Sequence, residues 1–328
     1  MLQTLSCAAE RRRLKAPFRI SRGVKTEIEA VVATIDRDGV TGRGEGIPYA
    51  RYHEDSRSVI DQIESVRSQV RAGLDRPGLM GLLPPGAARN ALDCALWDLE
   101  ARLAGTTVSA MLGRPRPGSC VTALTISLDA PGRMGEAAAE LADAPLLKVK
   151  VDGLDPEAQI AAVRAAAPAA RLIVDPNEGW SLDLLKDLQP FLRAARVDLV
   201  EQPLPSDADE GLEALSPLVP ICADESFHSG ADIERVSGRY QCINIKLDKS
   251  GGLTHALELQ AMARARGMSV MIGCMVCTSL SIAPALLLAQ DADFVDLDGP
   301  LWLASDHPDG VGGQGGILTA SGETLWRL

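Results

Sequence analysis

The chain has 328 residues, 46% hydrophobic and 23% charged, which is the composition of a globular protein burying a large core in one or two domains of roughly 150 residues each. Disorder and fibrous repeats are excluded, and 33 basic against 44 acidic side chains leave a net charge of −11 that disfavours the broad phosphate contact needed to hold nucleic acid. No apolar run reaches the roughly 20 residues that span a bilayer; the longest, 282–289, is interrupted by Pro284.

At the N-terminus the apolar residues precede the basic cluster Arg11-Arg12-Arg13, the reverse of a secretory signal, so a cytoplasmic address is expected. Seven cysteines, an odd number in a chain large enough to need no covalent staples, are expected as reduced thiols. Over the first 118 residues the pattern predicts strands at 28–36 and 42–47 and helices at 55–72 and 87–104, an α+β unit. Gly42, Gly44 and Gly46 match no phosphate loop or dinucleotide fingerprint, and turn chemistry is their expected role. Pro115 and Pro117 disfavour both helix and central strand and mark a linker.

From Val121 onward, short β-branched or leucine-rich runs alternate with alanine-rich helical stretches, a repeated βα pattern. Candidate strands fall at 121–127, 146–151, 171–175, 197–201, 219–224, 241–247, 268–273 and 293–298. Eight is the barrel number. Beyond residue 298 there is no further βα unit, and the glycine-rich 310–316 leads to a last strand near 316–319. The expected division is 1–118 for the α+β unit, 119–300 for the barrel and 301–328 for a tail returning to the first unit.

Strand residues at i and i+2 share a face, so inward-pointing pairs near a barrel strand's C-terminal end look into the mouth. Three candidate strands end in such polar pairs, Lys148 with Lys150, Asp175 with Asn177, and Asp296 with Asp298; others end in Glu201, Asp224 and Lys246. One charged position recurs about every 22 to 26 residues from Lys150 to Lys246, that is, once per βα unit. Buried charges cost several kcal/mol each unless paired or bound to an ion, so packing alone does not account for such a ring. Asp175, Glu201 and Asp224 offer hard oxygen donors from three consecutive strands, which suits Mg²⁺ or Mn²⁺. Lys150 and Lys246 fall on the second and sixth strands, opposite one another in an eight-stranded barrel. An ammonium beside a metal and a second cation loses part of its preference for the charged form and can serve as a base.

In order and spacing, Lys148-Val149-Lys150, Asp175-Pro176-Asn177, Glu201-Gln202-Pro203, Ala223-Asp224-Glu225-Ser226 and Asn244-Ile245-Lys246-Leu247-Asp248-Lys249 resemble the muconate-lactonizing subgroup of the enolase superfamily. The resemblance implies an α/β fold, a modified TIM barrel (β/α)7β with an α+β capping domain. It also implies Mg²⁺-assisted proton transfer through an ene-diolate with lysine bases. The metal ligands would then be Asp175, Glu201 and Asp224, with Asn177, Glu225 and Lys249 supporting them. Lys150 and Lys246 would be the catalytic pair, and Lys148 would meet the substrate carboxylate.

Asp296-Leu297-Asp298-Gly299-Pro300 and Gly273-Cys274-Met275-Val276-Cys277-Thr278-Ser279 are more narrowly similar to dipeptide epimerases. That implies an isomerase whose Asp296 and Asp298 bind the α-ammonium of a dipeptide, with L-Ala-L-Glu and L-Ala-D-Glu, peptides of murein turnover, as the expected pair. Residues 18–25 resemble the family's cap loop, and Arg22 is matched to the base that meets a glutamate side chain; Arg19 and Lys25 are alternatives. N-acylamino acid racemisation, o-succinylbenzoate synthesis and muconate cycloisomerisation are the rival reactions on this scaffold, but their substrates bring no free ammonium. A Schiff-base aldolase and a non-catalytic role rank lower. The expected partner is a small dipeptide rather than nucleic acid or membrane, and a homo-oligomer is left open. Cys274 and Cys277 have no companion cysteine or histidine pair and are not expected to bind zinc.

Overall fold

The computed structural model describes residues 3–21, 23–320 and 322–328. It opens with an antiparallel sheet, β1 (Thr4–Ile20), β2 (Gly23–Arg37) and β3 (Val40–Gly46), ordered β1-β2-β3. Alternation along β2 serves two cores: Ile28, Ala30 and Val32 join the barrel-side core, while Val31, Ala33 and Ile35 face the cap helices. The charge-rich β1 escaped the sequence reading because it is an edge strand, where Arg and Glu are at home; Arg11 Nε donates to Glu29 on β2 at 2.8 Å.

The helix expected at 55–72 breaks at Val66 into α1 (Ser56–Ser65) and α2 (Arg67–Arg71), with Asp55 and Ser58 forming a capping box at its start. Next come α3 (Arg76–Leu82), α4 (Ala87–Leu103) and α5 (Val108–Met111). Gly42, Gly44 and Gly46 are not turn residues. They lie on one face of β3, where an added Cβ would sit 2.1–2.3 Å from the carbonyl oxygens of Ala95, Ala91 and Ala87. A stripe of glycines on the strand thus meets a stripe of alanines spaced one turn apart on α4, and the two backbones nearly touch. Gly44→Ala forces strand from helix and is expected to cost about 3 kcal/mol or more, measured by denaturant unfolding; a variant as stable as wild type would show that the contact yields freely.

The short β4 (Cys120–Val121) precedes a parallel barrel of β5 (Leu124–Ile126), β6 (Leu146–Lys150), β7 (Arg171–Asp175), β8 (Leu199–Glu201), β9 (Ile221–Ala223), β10 (Cys242–Lys246), β11 (Ser269–Gly273) and β12 (Phe294–Asp296), hydrogen-bonded in that order. Ala123 N donates to Val295 O at 2.8 Å across the remaining seam. Helices α6 (Pro131–Glu140), α7 (Pro156–Ala166), α8 (Leu182–Ala194), α9 (Ile233–Ser237), α10 (Leu247–Ser250), α11 (Leu253–Ala265) and α12 (Ser279–Ala289) follow the strands. Between β8 and β9 only a 3-10 turn, Glu210–Ala214, takes the helix's place. The run expected as one strand at 121–127 is split, because β4 pairs instead with β14 (Ile317–Thr319), itself paired with β13 (Gly312–Gln314).

Ala123, Leu146, Ile173, Leu199, Cys222, Cys242, Met271 and Phe294 form one apolar layer that closes the barrel floor. Two residues along each strand, the same inward face carries Thr125, Lys148, Asp175, Glu201, Asp224, Asn244, Gly273 and Asp296. The polar site is therefore the layer directly above the floor.

Cap and barrel are joined by buried carboxylates. Glu45 accepts from Thr278 N at 2.9 Å, and Asp248 accepts from Ile47 N and Asn90 Nδ2, each at 2.8 Å. Burial pushes each of these two carboxyls up to about 7. The tail beyond the barrel reaches α4, where Trp326 Nε1 donates to Cys94 O at 3.1 Å and Arg327 N to Asp98 Oδ1 at 2.9 Å. Among the described residues no helix is long and apolar enough to cross a membrane.

Candidate active site

A cavity of about 500 Å³ opens at the C-terminal ends of the barrel strands, beneath the cap. Its floor and walls carry Lys148, Lys150, Asn177, Asp224, Glu225, Lys246, Asp296 and Asp298. Phe18, Ile20, Val24, Lys25, Tyr49 and Tyr52 come from the cap side, and Cys274, Met275 and Val276 from the loop after β11.

Lys148 lies at the centre of the charge network, with Nζ 2.6 Å from Glu201, 2.8 Å from Asp296 and 3.1 Å from Asp175. Lys150 reaches Asp175 Oδ2 at 2.5 Å, in register with it across β6 and β7. On the far side Lys246 Nζ donates to Asp224 Oδ2 at 2.6 Å, and Lys249 Nζ donates to Asp224 Oδ1 at 2.6 Å and to Asn244 O at 3.0 Å. Glu201 takes a hydrogen bond from Asn244 Nδ2 at 2.8 Å, and Asn177 N donates to Asp175 Oδ1 at 2.8 Å.

These contacts set the ionisation of the ring. Burial opposes charge at Asp175, but Lys150 and Lys148 overcome it and hold that carboxyl at about 2. Asp224 is likewise held well below its ordinary value against its burial, by Lys246 and Lys249. Glu201 goes the other way, up to about 7, because burial and the neighbouring Asp175 charge outweigh Lys148. At Lys246, burial is outweighed by Asp224 and Glu201, which hold the ammonium above its ordinary value. The depressed lysine expected from the sequence is thus not found at Lys246 on these side chains alone: carboxylates, not cations, are its nearest neighbours.

Asp296 and Asp298 line the cavity at the end of β12, Asp296 against Lys148. Asp298 Oδ2 accepts from Thr125 N at 2.8 Å and from Trp302 Nε1 at 3.2 Å. Burial and the Asp296 charge push its carboxyl up to about 6.

Arg22 lies outside the described residues. Of the two alternatives, Arg19 is turned to Asp129 at 3.6 Å, whereas Lys25 lines the cavity with Nζ 4.7 Å above the Tyr49 ring. Arg51 is held by Glu178 through two hydrogen bonds of 2.9 and 3.0 Å. Lys249 lies behind Asp224 and lines a smaller neighbouring cavity of about 350 Å³ with His228, Asp248 and Glu54. Cys274 lines the main cavity and Cys277 is buried beneath it.

Sequence reasoning missed Thr125, Asn244 and Trp302 as parts of the site. Asn244 shares the face of Lys246 two residues on, a signal that parity alone could have given. Thr125 meets Asp298 through its backbone N–H as well as its hydroxyl, and the backbone half of that contact is one that no side-chain pattern reveals.

Residues 3–113 match the mandelate racemase/muconate lactonizing enzyme N-terminal domain, and residues 133–302 match the enolase C-terminal domain-like family. The chain is 45% identical over 307 residues to the L-Ala-D/L-Glu epimerase of Escherichia coli, covering 93% of this chain and 96% of that one. It is 42% identical over 299 residues to an N-acetyl-D-glutamate racemase of a Pseudoalteromonas species, covering 90% and 94%. A crystal structure of an enolase family member from Agrobacterium tumefaciens with homology to dipeptide epimerases, holding sodium and L-Ala-L-Glu, superposes with a TM-score of 0.96 at 46% identity over 99% of both chains.

Proposed function

The chain belongs to the enolase superfamily, in its mandelate racemase/muconate lactonizing branch, and from that premise we propose that it is a dipeptide epimerase. The reaction is a 1,1-proton transfer that inverts the α-carbon of the C-terminal residue of a dipeptide, with L-Ala-L-Glu and L-Ala-D-Glu as the pair. One observation carries this reading above all: Lys150 and Lys246 line the same cavity from opposite sides of the barrel, with the Asp296/Asp298 pair in its wall. Two bases facing one carbon invert it; two carboxylates are the natural partner of a free ammonium.

Asp175, Glu201 and Asp224 would hold a divalent cation, Mg²⁺ with Mn²⁺ as a substitute. Among the described residues no three acidic, histidine or cysteine side chains converge as a finished metal cage, the carboxylates being drawn onto lysines. The donor set still fits a hard cation: all oxygen, from consecutive strands, with the Glu201 carboxyl pushed up to about 7 by burial and by the neighbouring Asp175 charge, which the Lys148 ammonium does not offset. Such an ion, when bound, polarises the substrate carboxylate and neutralises charge developing on it. Lys148 joins in holding that carboxylate. Lys150 removes the α-proton of one epimer and Lys246 that of the other, each returning a proton to the face opposite its partner. Asn177 and Glu225 support the ring from the cavity wall, and Lys249 from behind Asp224.

Arg22 is the proposed partner of a substrate side-chain carboxylate; Lys25 and Arg51 are described cations on the cap side of the cavity, Arg51 being paired with Glu178. The reading further takes 1–118 as cap, 119–300 as barrel and 301–328 as returning tail, with a cytoplasmic address and a homo-oligomer compatible with it.

The N-acetyl-D-glutamate racemase relative favours a second reading, racemisation of an N-acylated acidic amino acid, and one experiment separates the two. Protein and Mg²⁺ in D₂O are incubated with a set of L-Ala-L-Xaa dipeptides and with N-acetylglutamate, and α-deuterium is read by mass spectrometry. Dominant exchange on L-Ala-L-Glu is expected. Exchange on N-acetylglutamate alone would sink the dipeptide assignment, and exchange on apolar or cationic Xaa would sink the glutamate preference but keep the reaction.

A further inference from the structure

We infer that Trp302 is a positioning residue that orients Asp298 for the substrate's ammonium and is itself held by Phe18 of the cap, so that the cap contributes to ammonium recognition without touching the ammonium. The inference rests on the proposed role of Asp298 and goes beyond it.

Asp298 opens a 3-10 turn, Gly299–Trp302, and the turn brings the indole N–H back onto Asp298 Oδ2 at 3.2 Å. Thr125 N reaches the same oxygen from β5 at 2.8 Å. Two donors converging on Oδ2, with the Thr125 hydroxyl also on the carboxylate, fix its plane and leave its remaining lone pairs to meet an incoming cation. The turn is itself pinned: a Cβ on Gly299 would sit 2.6 Å from Met275 O and about 3 Å from the sulfurs of Cys274 and Cys277. Trp302 therefore sets the carboxylate through a short, rigid arc.

The other face of the indole belongs to the cap. Phe18 meets Trp302 edge to face, with ring centroids 4.8 Å apart at 82°. This contact is held in place by an irregularity in β1, which leaves register with β2 between Arg13 and Phe18. The bulged stretch Leu14–Pro17 turns instead to the chain around Trp302. Leu14 bridges Leu303, Ala304 N donates to Arg13 O at 2.8 Å, and Lys15 Nζ donates to Leu301 O at 3.0 Å. Just beyond Phe18, Leu128 N donates to Arg19 O at 3.2 Å. The bulge thus carries Phe18 to Trp302 and fastens the cap strand on both sides of it.

The test compares L-Ala-L-Glu with its N-acetyl counterpart on wild type, Trp302→Phe and Phe18→Ala. Phenylalanine keeps an aromatic ring against Phe18 but removes the indole N–H together with the pyrrole ring, so a packing role alone predicts equal changes for the two substrates and an unchanged ratio between them. Loss of one hydrogen bond to a charged group should raise KM for the free dipeptide about tenfold, with a much smaller change in kcat. The ratio of kcat/KM for the free dipeptide to that for the acetylated one should fall by the same factor. Phe18→Ala should move this ratio in the same direction by less. A high wild-type ratio left unchanged in Trp302→Phe would overturn the inference alone, and Phe18→Ala without effect would remove the cap from it. A wild-type ratio near or below one would overturn the role of Asp298, and both conclusions with it.

Discussion

Lys246→Ala should abolish net epimerisation, by a factor of roughly 10² to 10⁴, while one epimer of the dipeptide still exchanges its α-proton with solvent. The expectation follows from two bases on opposite walls. Lys150 is anchored to Asp175 at 2.5 Å and Lys246 to Asp224 at 2.6 Å, each on its own strand and its own side of the cavity. With Lys246 gone, Lys150 can still take a proton from the epimer that presents it on its side. The proton returned then comes from the same lysine, so configuration is retained and deuterium accumulates. The epimer that needs Lys246 for the first step should be silent. Lys150→Ala should show the mirror image, silent where Lys246→Ala exchanges. Deuterium content of each epimer after incubation in D₂O measures both. A variant that exchanges both epimers, or inverts either at the native rate, would end the two-base assignment.

The site was legible in the sequence to the extent that strand parity and the cost of buried charge constrain it. Lys148 and Lys150 share a face because they are two apart, and a barrel strand offers only the lumen or the helices to its two faces. Charged residues recurring once per βα unit then had to meet somewhere polar, and the layer two residues above the floor is that place. The cap was less legible because its determinants are relational. Gly42, Gly44 and Gly46 explain nothing until α4 supplies the carbonyls they approach. β1 conceals its strand character under arginines that an edge strand tolerates. Trp302 is an ordinary tryptophan in sequence; only the 3-10 turn returns its N–H to Asp298. The direct pairing of Lys246 with Asp224 was hidden for a similar reason, since the sequence tells which groups gather but not which of them touch.

Contact also decides how two of the proposed ligands should differ on mutation. Asp224→Asn and Glu201→Gln should both abolish Mg²⁺ binding and α-proton exchange, but only the first should damage the fold. Asp224 is the counter-ion of two lysines, and the side chain of Lys249 behind it is 1% exposed. Its other acceptors, Asp224 O at 2.5 Å and Asn244 O at 3.0 Å, are neutral carbonyls. Neutralising Asp224 leaves a buried ammonium without its charge partner, a loss of about 3–5 kcal/mol. Glu201 already sits at about 7, so its charged form is disfavoured by burial and by Asp175 before any mutation. In Glu201→Gln the amide oxygen can take the place of the carboxylate oxygen 2.6 Å from the Lys148 ammonium, and the new NH₂ faces Asn244. The Asn244 Oδ1 atom is buried and without a hydrogen-bond partner among the described residues, so an amide flip turns that oxygen to the new donor. The number of unpaired groups is unchanged, and stability should stay within about 1 kcal/mol of wild type. Calorimetric Mg²⁺ titration, D₂O exchange and denaturant unfolding on both variants give the comparison. Equal destabilisation of the two would make Glu201 a structural anchor of Lys148, and retained Mg²⁺ affinity in Glu201→Gln would remove it from the ligand set.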